Sequence, residues 1–475
     1  MRASPSPSAP NPSARPLADQ ARALLPILRQ QARRPYIVEL AGTPKAGKTT
    51  ALHIVGRFFK ECGYQVHPMR ERASDCPIAM KGHFFFNTWT TTTMIASMIE
   101  TLDTEADLVL LDRGVFDSIV WLEAQSHEHQ VTAQEREVFR SFALLPRWRE
   151  RTDLTFVLRV CPQEAMRREN KDLLIPRRGS IVSAGYLERY NSVLGQVQAS
   201  VADQFSFVDI DTTEHGTPKK TNEAIATTLL EHMGRWTDPE IAAIPRAVVT
   251  ELFARSPVRA LPEIIEPVQR ALVIRRRSTL ESDDAFVQLV SAVVLRHEGN
   301  MLLFRRKGGR DEAKIKTFGQ DLLWKGCHVP CSPGVPGPLP STSGAAVDVL
   351  RACAEAIKAR LREDFHLAHL ESEPIPRVMI WNEPPAEARH LGVFFDLEIP
   401  APRVAQALTG KVFKRQRDRS KLQANQFVST AALYERMRHG EDIELESWSQ
   451  QLLLHMMHGA PSGTGPRSPG TATSP

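Results

Sequence analysis

Short apolar runs recur along the first half of the chain, and longer stretches with the apolar spacing of helices separate them. The runs occupy 35–40, 108–111, 154–160 and 205–210. Continuous apolar runs that alternate with helices are typical of parallel strands buried on both faces. The pattern therefore predicts an α/β domain over 17–235, with a parallel sheet covered by helices on both sides.

A different pattern begins at 286, where an apolar run continues to 295. The polar stretch 297–300 and a second apolar run at 301–304 follow it. Two such runs around a short turn predict a β-hairpin, and the spacing after it predicts a helix over 345–364. We expect a second, α+β domain over 285–455.

Proline marks the segments around and between these domains. The chain has 34 Pro against 26 Gly, whereas glycine is normally the commoner residue. Proline-rich, aperiodic composition predicts a disordered lead-in over 1–16 and a disordered tail over 456–475. Prolines among short amphipathic stretches predict a helical linker over 236–284, and 330–340 is predicted to be an irregular insertion.

The remaining composition limits the class of protein. Hydrophobic residues make up 42% and charged residues 24% of the 475 positions, as in ordinary globular chains. A formal net charge of +5 suits anionic small molecules and falls short of the basic field of a dedicated nucleic-acid binder. Six scattered cysteines and no long apolar run predict a soluble, cytoplasmic protein without a membrane partner.

The loop after the first predicted strand carries the clearest chemical signal, a match to G-x-x-x-x-G-K-[ST]. The predicted nucleotide-binding residues are Gly42, Thr43, Pro44, Lys45, Ala46, Gly47, Lys48, Thr49 and Thr50. Glycines in such a loop let successive backbone N–H groups converge on phosphate oxygens at the positive end of a helix. We expect Lys48 to bridge the β and γ phosphates of ATP, and Thr49 to hold Mg²⁺.

The apolar run at 108–111 ends in a carboxylate, Asp112. In P-loop proteins an aspartate at this place orients Mg²⁺, so Thr49 and Asp112 are the predicted metal ligands. We find no guanine-reading N-K-x-D after a later strand, which argues against a GTPase.

Residues 112–117 read Asp-Arg-Gly-Val-Phe-Asp. An acidic-Arg pair after the third strand resembles the P-loop nucleoside and nucleotide kinases, in particular the thymidylate kinase and deoxynucleoside kinase group, over roughly 35–235. The resemblance implies that Arg113 contacts the substrate phosphate or 5′-oxygen. It also implies that Glu71, after a strand at 65–67, accepts the proton of the attacking hydroxyl; a surface glutamate is the alternative.

The segment 161–168, Cys-Pro-Gln-Glu-Ala-Met-Arg-Arg, resembles the P-x-x-A-L-x-R stretch that opens the lid of these kinases. The resemblance implies that Arg168 meets charge on the γ-phosphoryl group when the lid closes, with Arg167, Arg177 and Arg178 as weaker matches.

Specificity is not defined by this resemblance. Gly114 stands where thymidylate kinases have Tyr or His, so thymidine as substrate is not supported. Phe84, Phe86 and Trp89 could stack a base, but aromatic residues at this spacing are more commonly part of a core.

Three segments of the second predicted domain form a further pattern: 321–329, a helix that ends with Glu363 and Asp364, and an apolar strand at 390–394. Together they resemble a Nudix hydrolase domain, whose helical carboxylates hold divalent metals. Arg351 stands where the family has an earlier Glu, and a cation there repels the metal. The resemblance implies a degenerate binding or regulatory module; an active diphosphate hydrolase is the alternative.

These features predict an ATP- and Mg²⁺-dependent kinase that phosphorylates a nucleoside, nucleotide or similar small hydroxyl substrate. The predicted catalytic residues are Lys48, Glu71, Arg113 and Arg168. A nucleotide-dependent switch, an ATPase without a small-molecule acceptor, is the alternative class. The sequence leaves open whether the chain forms a homodimer.

Overall fold

The computed structural model divides into two compact units, Met1–Thr237 and Asp238–Pro475. The structure describes residues 15–31, 34–73, 75–78, 83–101, 104–127, 131–171, 183–307, 320–330, 348–365, 372–382, 389–409, 412–414, 421–440 and 443–458. Most of the predicted lead-in and tail, residues 331–340 of the predicted insertion, and Arg177 and Arg178 lie outside these ranges.

Five strands of the first unit form a parallel sheet in the order β2-β3-β1-β4-β5. They are β1 (Tyr36–Gly42), β2 (Val66–Met69), β3 (Leu108–Asp112), β4 (Leu154–Arg159) and β5 (Phe207–Asp211). Its helices are α1 (Arg15–Gln31), α2 (Lys48–Glu61), α3 (Phe84–Glu100), α4 (Val115–His127), α5 (Ala133–Ala143), α6 (Pro146–Arg149), α7 (Pro162–Lys171), α8 (Ala184–Ser200), α9 (Thr212–His215) and α10 (Pro218–Thr237).

The apolar run of β1 is buried because both faces of the sheet are covered. Val38 and Leu40 pack in a core with α1, α2 and α10, whereas Ile37 and Ala41 face the side of α3, α4 and α8. Adjacent residues of a strand point to opposite faces, so every position of this strand is buried. The predicted parallel sheet with helices on both sides is confirmed.

The second unit contains a mixed sheet. Its strands are β6 (Glu240–Pro245), β7 (Val258–Ala260), β8 (Val273–Arg276), β9 (Phe286–His297), β10 (Asn300–Lys307), β11 (Asp321–Leu322), β12 (Lys325–His328), β13 (Ile375–Ile380), β14 (His390–Glu398), β15 (Val412–Lys414) and β16 (Lys421–Val428). Its helices are α11 (Arg246–Phe253), α12 (Leu261–Ala271), α13 (Arg277–Ser282), α14 (Val349–Phe365), α15 (Pro402–Leu408), α16 (Thr430–His439) and α17 (Ser447–His458).

The long strand β9 organises this sheet. It pairs with β14 in parallel and with β6, β10 and β12 in antiparallel register, and its turn into β10 joins His297 to Asn300. Leu289 and Val293 pack toward α14, whereas Ala292 and Val294 pack toward α16 and α17. The predicted hairpin at 297–300 is therefore confirmed.

The segment 236–284 differs from the predicted helical linker. It supplies three strands, of which β6 pairs with β8 and β9, and β7 pairs with β13. Pro267 lies inside α12, whereas Pro245 is the N-cap of α11 and Pro262 is in the first turn of α12, where these helices begin. Proline is tolerated at those positions, so a proline-rich composition is compatible with short strands and helices.

Among the described helices, none has the length and apolar character needed to cross a bilayer.

Candidate functional site

The predicted phosphate loop connects the end of β1 to the start of α2. Gly42, Lys45 and Gly47 have φ angles of 119°, 67° and 98°, a region that favours glycine. A Cβ on Gly42 would also lie 2.2 Å from the carbonyl oxygen of Leu158 on β4. The loop therefore passes β4 too closely for a side chain, and Gly47 opens α2, with Thr50 exposed in its first turn.

Lys48 is buried inside this loop rather than directed to solvent. Its Nζ donates hydrogen bonds to the carbonyl oxygens of Gly42 and Thr43, at 2.8 and 2.9 Å. Burial and the nearby Arg113 guanidinium lower its pKa to about 8. At neutral pH the ammonium form therefore predominates, and it lies where a polyphosphate bound by the loop would need a positive charge.

Thr49 and Asp112, the two predicted metal ligands, are in direct contact. The hydroxyl of Thr49 donates to Oδ2 of Asp112 at 2.5 Å. Oδ1 of Asp112 is buried and, among the described residues, has no hydrogen-bond partner. Burial raises the pKa of this carboxyl.

This donor set fits Mg²⁺. A hard cation that prefers oxygen ligands would satisfy the unpaired carboxylate oxygen and offset the cost of burying it. Within the described part of the chain, no three His, Cys, Asp or Glu side chains form a metal cluster. A Mg²⁺ that keeps several waters and binds mainly through phosphates needs few protein oxygens.

Arg113 and Glu71 lie together at the carboxyl edge of the sheet. Arg113 follows β3 with a φ of 71°, and its Nε is 2.9 Å from Oε1 of Glu71. The Arg113 side chain is 18% exposed and that of Glu71 is 37% exposed. The guanidinium also lies over the ring of Trp121, 5.3 Å from the ring centroid.

Arg168 lies against the phosphate loop. Its Nη1 donates to the carbonyl oxygen of Lys45 at 3.2 Å and to Oγ1 of Thr212 at 3.0 Å. Its Nε donates to Glu164 on the same helix, α7. An ion pair between Lys45 and Glu169 makes a second connection between the loop and α7. The structure thus brings Arg168 to the phosphate loop, at the Lys45 carbonyl oxygen.

Two buried carboxylates at this site were not predicted. Glu39, in the middle of β1, accepts hydrogen bonds from the backbone N–H groups of Gly114, Phe116 and Asp117 at 2.9, 3.2 and 2.8 Å. It therefore caps the first turn of α4 from inside the sheet, and burial raises its pKa to about 7. The available signal in the sequence was an acidic residue within an otherwise apolar strand.

The second is Asp117, in the first turn of α4. Its Oδ1 accepts the backbone N–H of Gly42 at 3.0 Å, and its Oδ2 accepts Nη1 of Arg113 at 2.6 Å. The side chain is 1% exposed. In the sequence it is a single aspartate in a helix, and no pattern around it predicts either contact.

Gly114 is explained by the first of these carboxylates. A Cβ on Gly114 would lie 2.5 Å from Cδ of Glu39 and 2.6 Å from its Oε2. The glutamate thus occupies the space that a side chain at this position would need. A larger residue at position 114 would therefore require Glu39 to move.

The aromatic residues of α3 have different surroundings. Phe84 packs beside the core that contains Phe139, with ring centroids 6.0 Å apart. The Trp89 ring lies under the guanidinium of Arg72, 5.5 Å from the ring centroid. Phe85, in contrast, is 61% exposed. A core role for Phe84 is therefore consistent with the structure.

In the second unit, Glu363 and Asp364 belong to the last turn of α14, and their side chains lie outside what the structure describes. Lys358 of the same helix pairs with Glu355 at 3.2 Å and also contacts Glu373.

No protein-family model matches the chain, and no curated protein matches it. Among solved structures, deoxyadenosine kinase from M. mycoides with bound dATP is 18% identical, with a TM-score of 0.33, and covers 41% of this chain and 98% of its own. The same kinase with bound dCTP gives 18% identity, a TM-score of 0.32, and 41% and 99% coverage. Tm1382, a candidate Nudix hydrolase, is 14% identical with a TM-score of 0.31, covering 46% and 98%. Similarities of this size support no conclusion about activity.

Proposed function

We propose that the first unit is an ATP- and Mg²⁺-dependent kinase that phosphorylates a nucleoside, nucleotide or similar small hydroxyl substrate. One observation supports this most strongly. The carboxyl edge of the sheet brings together a phosphate loop, the Thr49–Asp112 pair with an unpaired oxygen, and the Glu71–Arg113 pair. Residues suited to binding a phosphate donor and residues suited to orienting an acceptor thus lie at the same edge of the sheet.

On the donor side, the loop N–H groups and the Lys48 ammonium would bind the phosphates of ATP. Thr49 and Asp112 would hold Mg²⁺, which when bound neutralises phosphate charge. Arg168, already at the loop through the Lys45 carbonyl, would add positive charge at the transferring group.

On the acceptor side, Glu71 would orient the attacking hydroxyl and accept its proton. A carboxylate is sufficient for this role because phosphoryl transfer depends more on positioning and charge than on a strong base. Arg113, fixed between Glu71 and Asp117, would contact the acceptor phosphate or 5′-oxygen. A switch that only binds ATP has no need of this second pair.

The test compares Lys48→Ala with Lys60→Ala, a change of an exposed lysine at the other end of α2. Transfer of labelled phosphate from ATP to a panel of nucleosides and monophosphates is measured for each. We expect Lys48→Ala to lower transfer at least about a hundredfold, as for loss of a key electrostatic contact, with Lys60→Ala unchanged.

Two results would contradict the proposal. One is transfer by Lys48→Ala at the rate of the unmodified chain. The other is phosphate release without any phosphorylated acceptor, unaffected by Glu71→Gln, which would favour the nucleotide-dependent switch.

We also propose that the second unit is a binding or regulatory module rather than a hydrolase, because Arg351 on α14 adds positive charge where the Nudix box has a metal-binding Glu. Incubation of the full chain with nucleoside diphosphate derivatives and Mg²⁺ tests this. We expect Glu363→Gln to leave any cleavage at the same background rate. Cleavage that is abolished by this substitution would establish the hydrolase instead.

A further inference from the structure

We propose that Asp117 is a positioning residue that couples the phosphate loop to Arg113, so that donor and acceptor sides keep one fixed geometry. This inference rests on the proposed kinase function. It concerns a residue that contacts neither substrate and acts through the groups it holds.

The geometry is that of a single carboxylate with both oxygens engaged. Oδ1 takes the N–H of Gly42, the first residue of the phosphate loop, at 3.0 Å. Oδ2 takes Nη1 of Arg113 at 2.6 Å. Gly42 ends β1 and Arg113 follows β3, the strand beside it. The two groups are thus tied across the sheet edge by one side chain.

The carboxylate itself is held rigidly. Asp117 lies in the first turn of α4, and its own N–H donates to Glu39 at 2.8 Å. Its side chain is 1% exposed, so water cannot readily replace either partner. A displacement of Asp117 would therefore be passed to the loop and to Arg113 together.

Loss of Asp117 would leave Arg113 with Glu71 as its one described carboxylate partner. The guanidinium would then be free to move with Glu71, because the contact with Asp117 no longer fixes it. Positioning of the reacting groups is a large part of catalysis in phosphoryl transfer. We expect the loss to reduce turnover more than binding of the acceptor.

Two substitutions separate the two contacts. In Asp117→Asn the amide oxygen can still accept a hydrogen bond from the Gly42 N–H. The amide NH₂ then faces the Arg113 guanidinium, and because both groups are donors they cannot form a hydrogen bond. Asp117→Ala removes both contacts. ATP binding is measured on the full chain by calorimetry without acceptor, and kcat and KM are measured with the acceptor identified in the screen.

We expect Asp117→Asn to bind ATP within about threefold of the unmodified chain, and Asp117→Ala to bind it about tenfold more weakly, the effect of losing one hydrogen bond to a charged group. Both variants should lower kcat at least about tenfold, with a smaller change in acceptor KM. In an Arg113→Ala background, Asp117→Asn should cause little further loss of kcat, because residues that act as a unit are not additive.

The matched control is Asp153→Asn. Asp153 binds a backbone N–H of β1 and an arginine, as Asp117 does, but at the opposite end of the strand. We expect it to lower thermal stability without changing ATP affinity or kcat at a temperature where both proteins are folded.

The proposal is overturned if Asp117→Ala binds ATP as tightly as the unmodified chain, or if Asp117→Asn and Arg113→Ala have fully additive effects. The ATP-binding result decides it even if no acceptor is found. Failure of the kinase assignment is seen separately, as transfer that survives Lys48→Ala.

Discussion

The two ends of β1 share one local arrangement, an aspartate that binds both a backbone N–H and an arginine. At the amino end, Asp153 accepts the N–H of Ile37 at 2.8 Å and pairs with both terminal nitrogens of Arg34 at 2.7 Å. At the carboxyl end, Asp117 makes the corresponding contacts. The chemistry of the pairs is thus similar, and their surroundings differ.

The carboxyl end also contains strain and an unpaired polar atom. Of the described non-glycine residues with positive φ, Lys45 and Arg113 lie there, while Glu298 belongs to the second unit. Oδ1 of Asp112 has no partner in the described chain, and Lys48 is a buried cation. Such features cost free energy and cluster at functional sites. We therefore expect the Arg34–Asp153 pair at the amino end to affect stability alone, and the Arg113–Asp117 pair at the carboxyl end to affect the proposed site as well.

The largest effect on stability that would test this difference between the two ends of β1 is expected from Glu39→Gln. Glu39 has a pKa of about 7 in the fold, above its ordinary value of 4.5, so between these values the folded chain keeps a proton that the unfolded chain has lost. The free energy of unfolding of the first unit should therefore fall as pH rises from 5 to 8, by on the order of 3 kcal/mol. Glutamine lacks the titrating proton, and this fall should disappear in the variant.

Urea unfolding at several pH values, with pulse proteolysis and detection of first-unit peptides, measures this difference. Glu135→Gln is the control, because Glu135 also caps a helix but hydrogen bonds from Thr132 lower its pKa. The stability that Glu135 contributes is lost only as pH falls below its ordinary pKa, so Glu135→Gln, which still contains Glu39, should keep the pH dependence of the unmodified chain between pH 5 and 8. Parallel pH curves for the unmodified chain and Glu39→Gln would disprove the buried-charge interpretation.

A smaller effect is expected from Gly114→Ala. The added Cβ would lie 2.5 Å from Cδ of Glu39, which is buried and cannot swing away, so overpacking should cost about 2 kcal/mol. Arg113 is adjacent, and its displacement should also lower phosphoryl transfer at least about tenfold. Thermal unfolding and the transfer assay measure the two effects.

Gly195→Ala is the corresponding control in α8, where no atom apart from the adjacent backbone of the helix lies within 4 Å of the added Cβ. Replacing a glycine within a helix should stabilise the unit by about 0.5–1 kcal/mol. If Gly114→Ala behaved in the same way as Gly195→Ala, the proposed coupling between Gly114 and Glu39 would be wrong.

Local pattern was sufficient to locate most of the first unit. The apolar runs predict β1, β3, β4 and β5, and the glycine spacing places the phosphate loop between β1 and α2. The pairing of Thr49 with Asp112 as metal ligands comes from the pattern of P-loop proteins, in which an aspartate at the end of a later strand orients Mg²⁺. Local pattern was insufficient for 236–284, where proline content indicates only that regular elements are short. It does not reveal that β6, β7 and β8 pair with strands of the sheet.

The sequence by itself therefore determined the strand pattern and the position of the phosphate loop. It also identified Lys48, Thr49 and Asp112 as candidate site residues, since each feature is encoded within a short segment. Only the tertiary structure decided the roles of Glu39 and Asp117. Both contact partners about 75 positions away, Glu39 at Gly114 and Asp117 at Gly42. A side chain's partner across a sheet edge depends on strand order and register. Neither is encoded in the residues on either side of it.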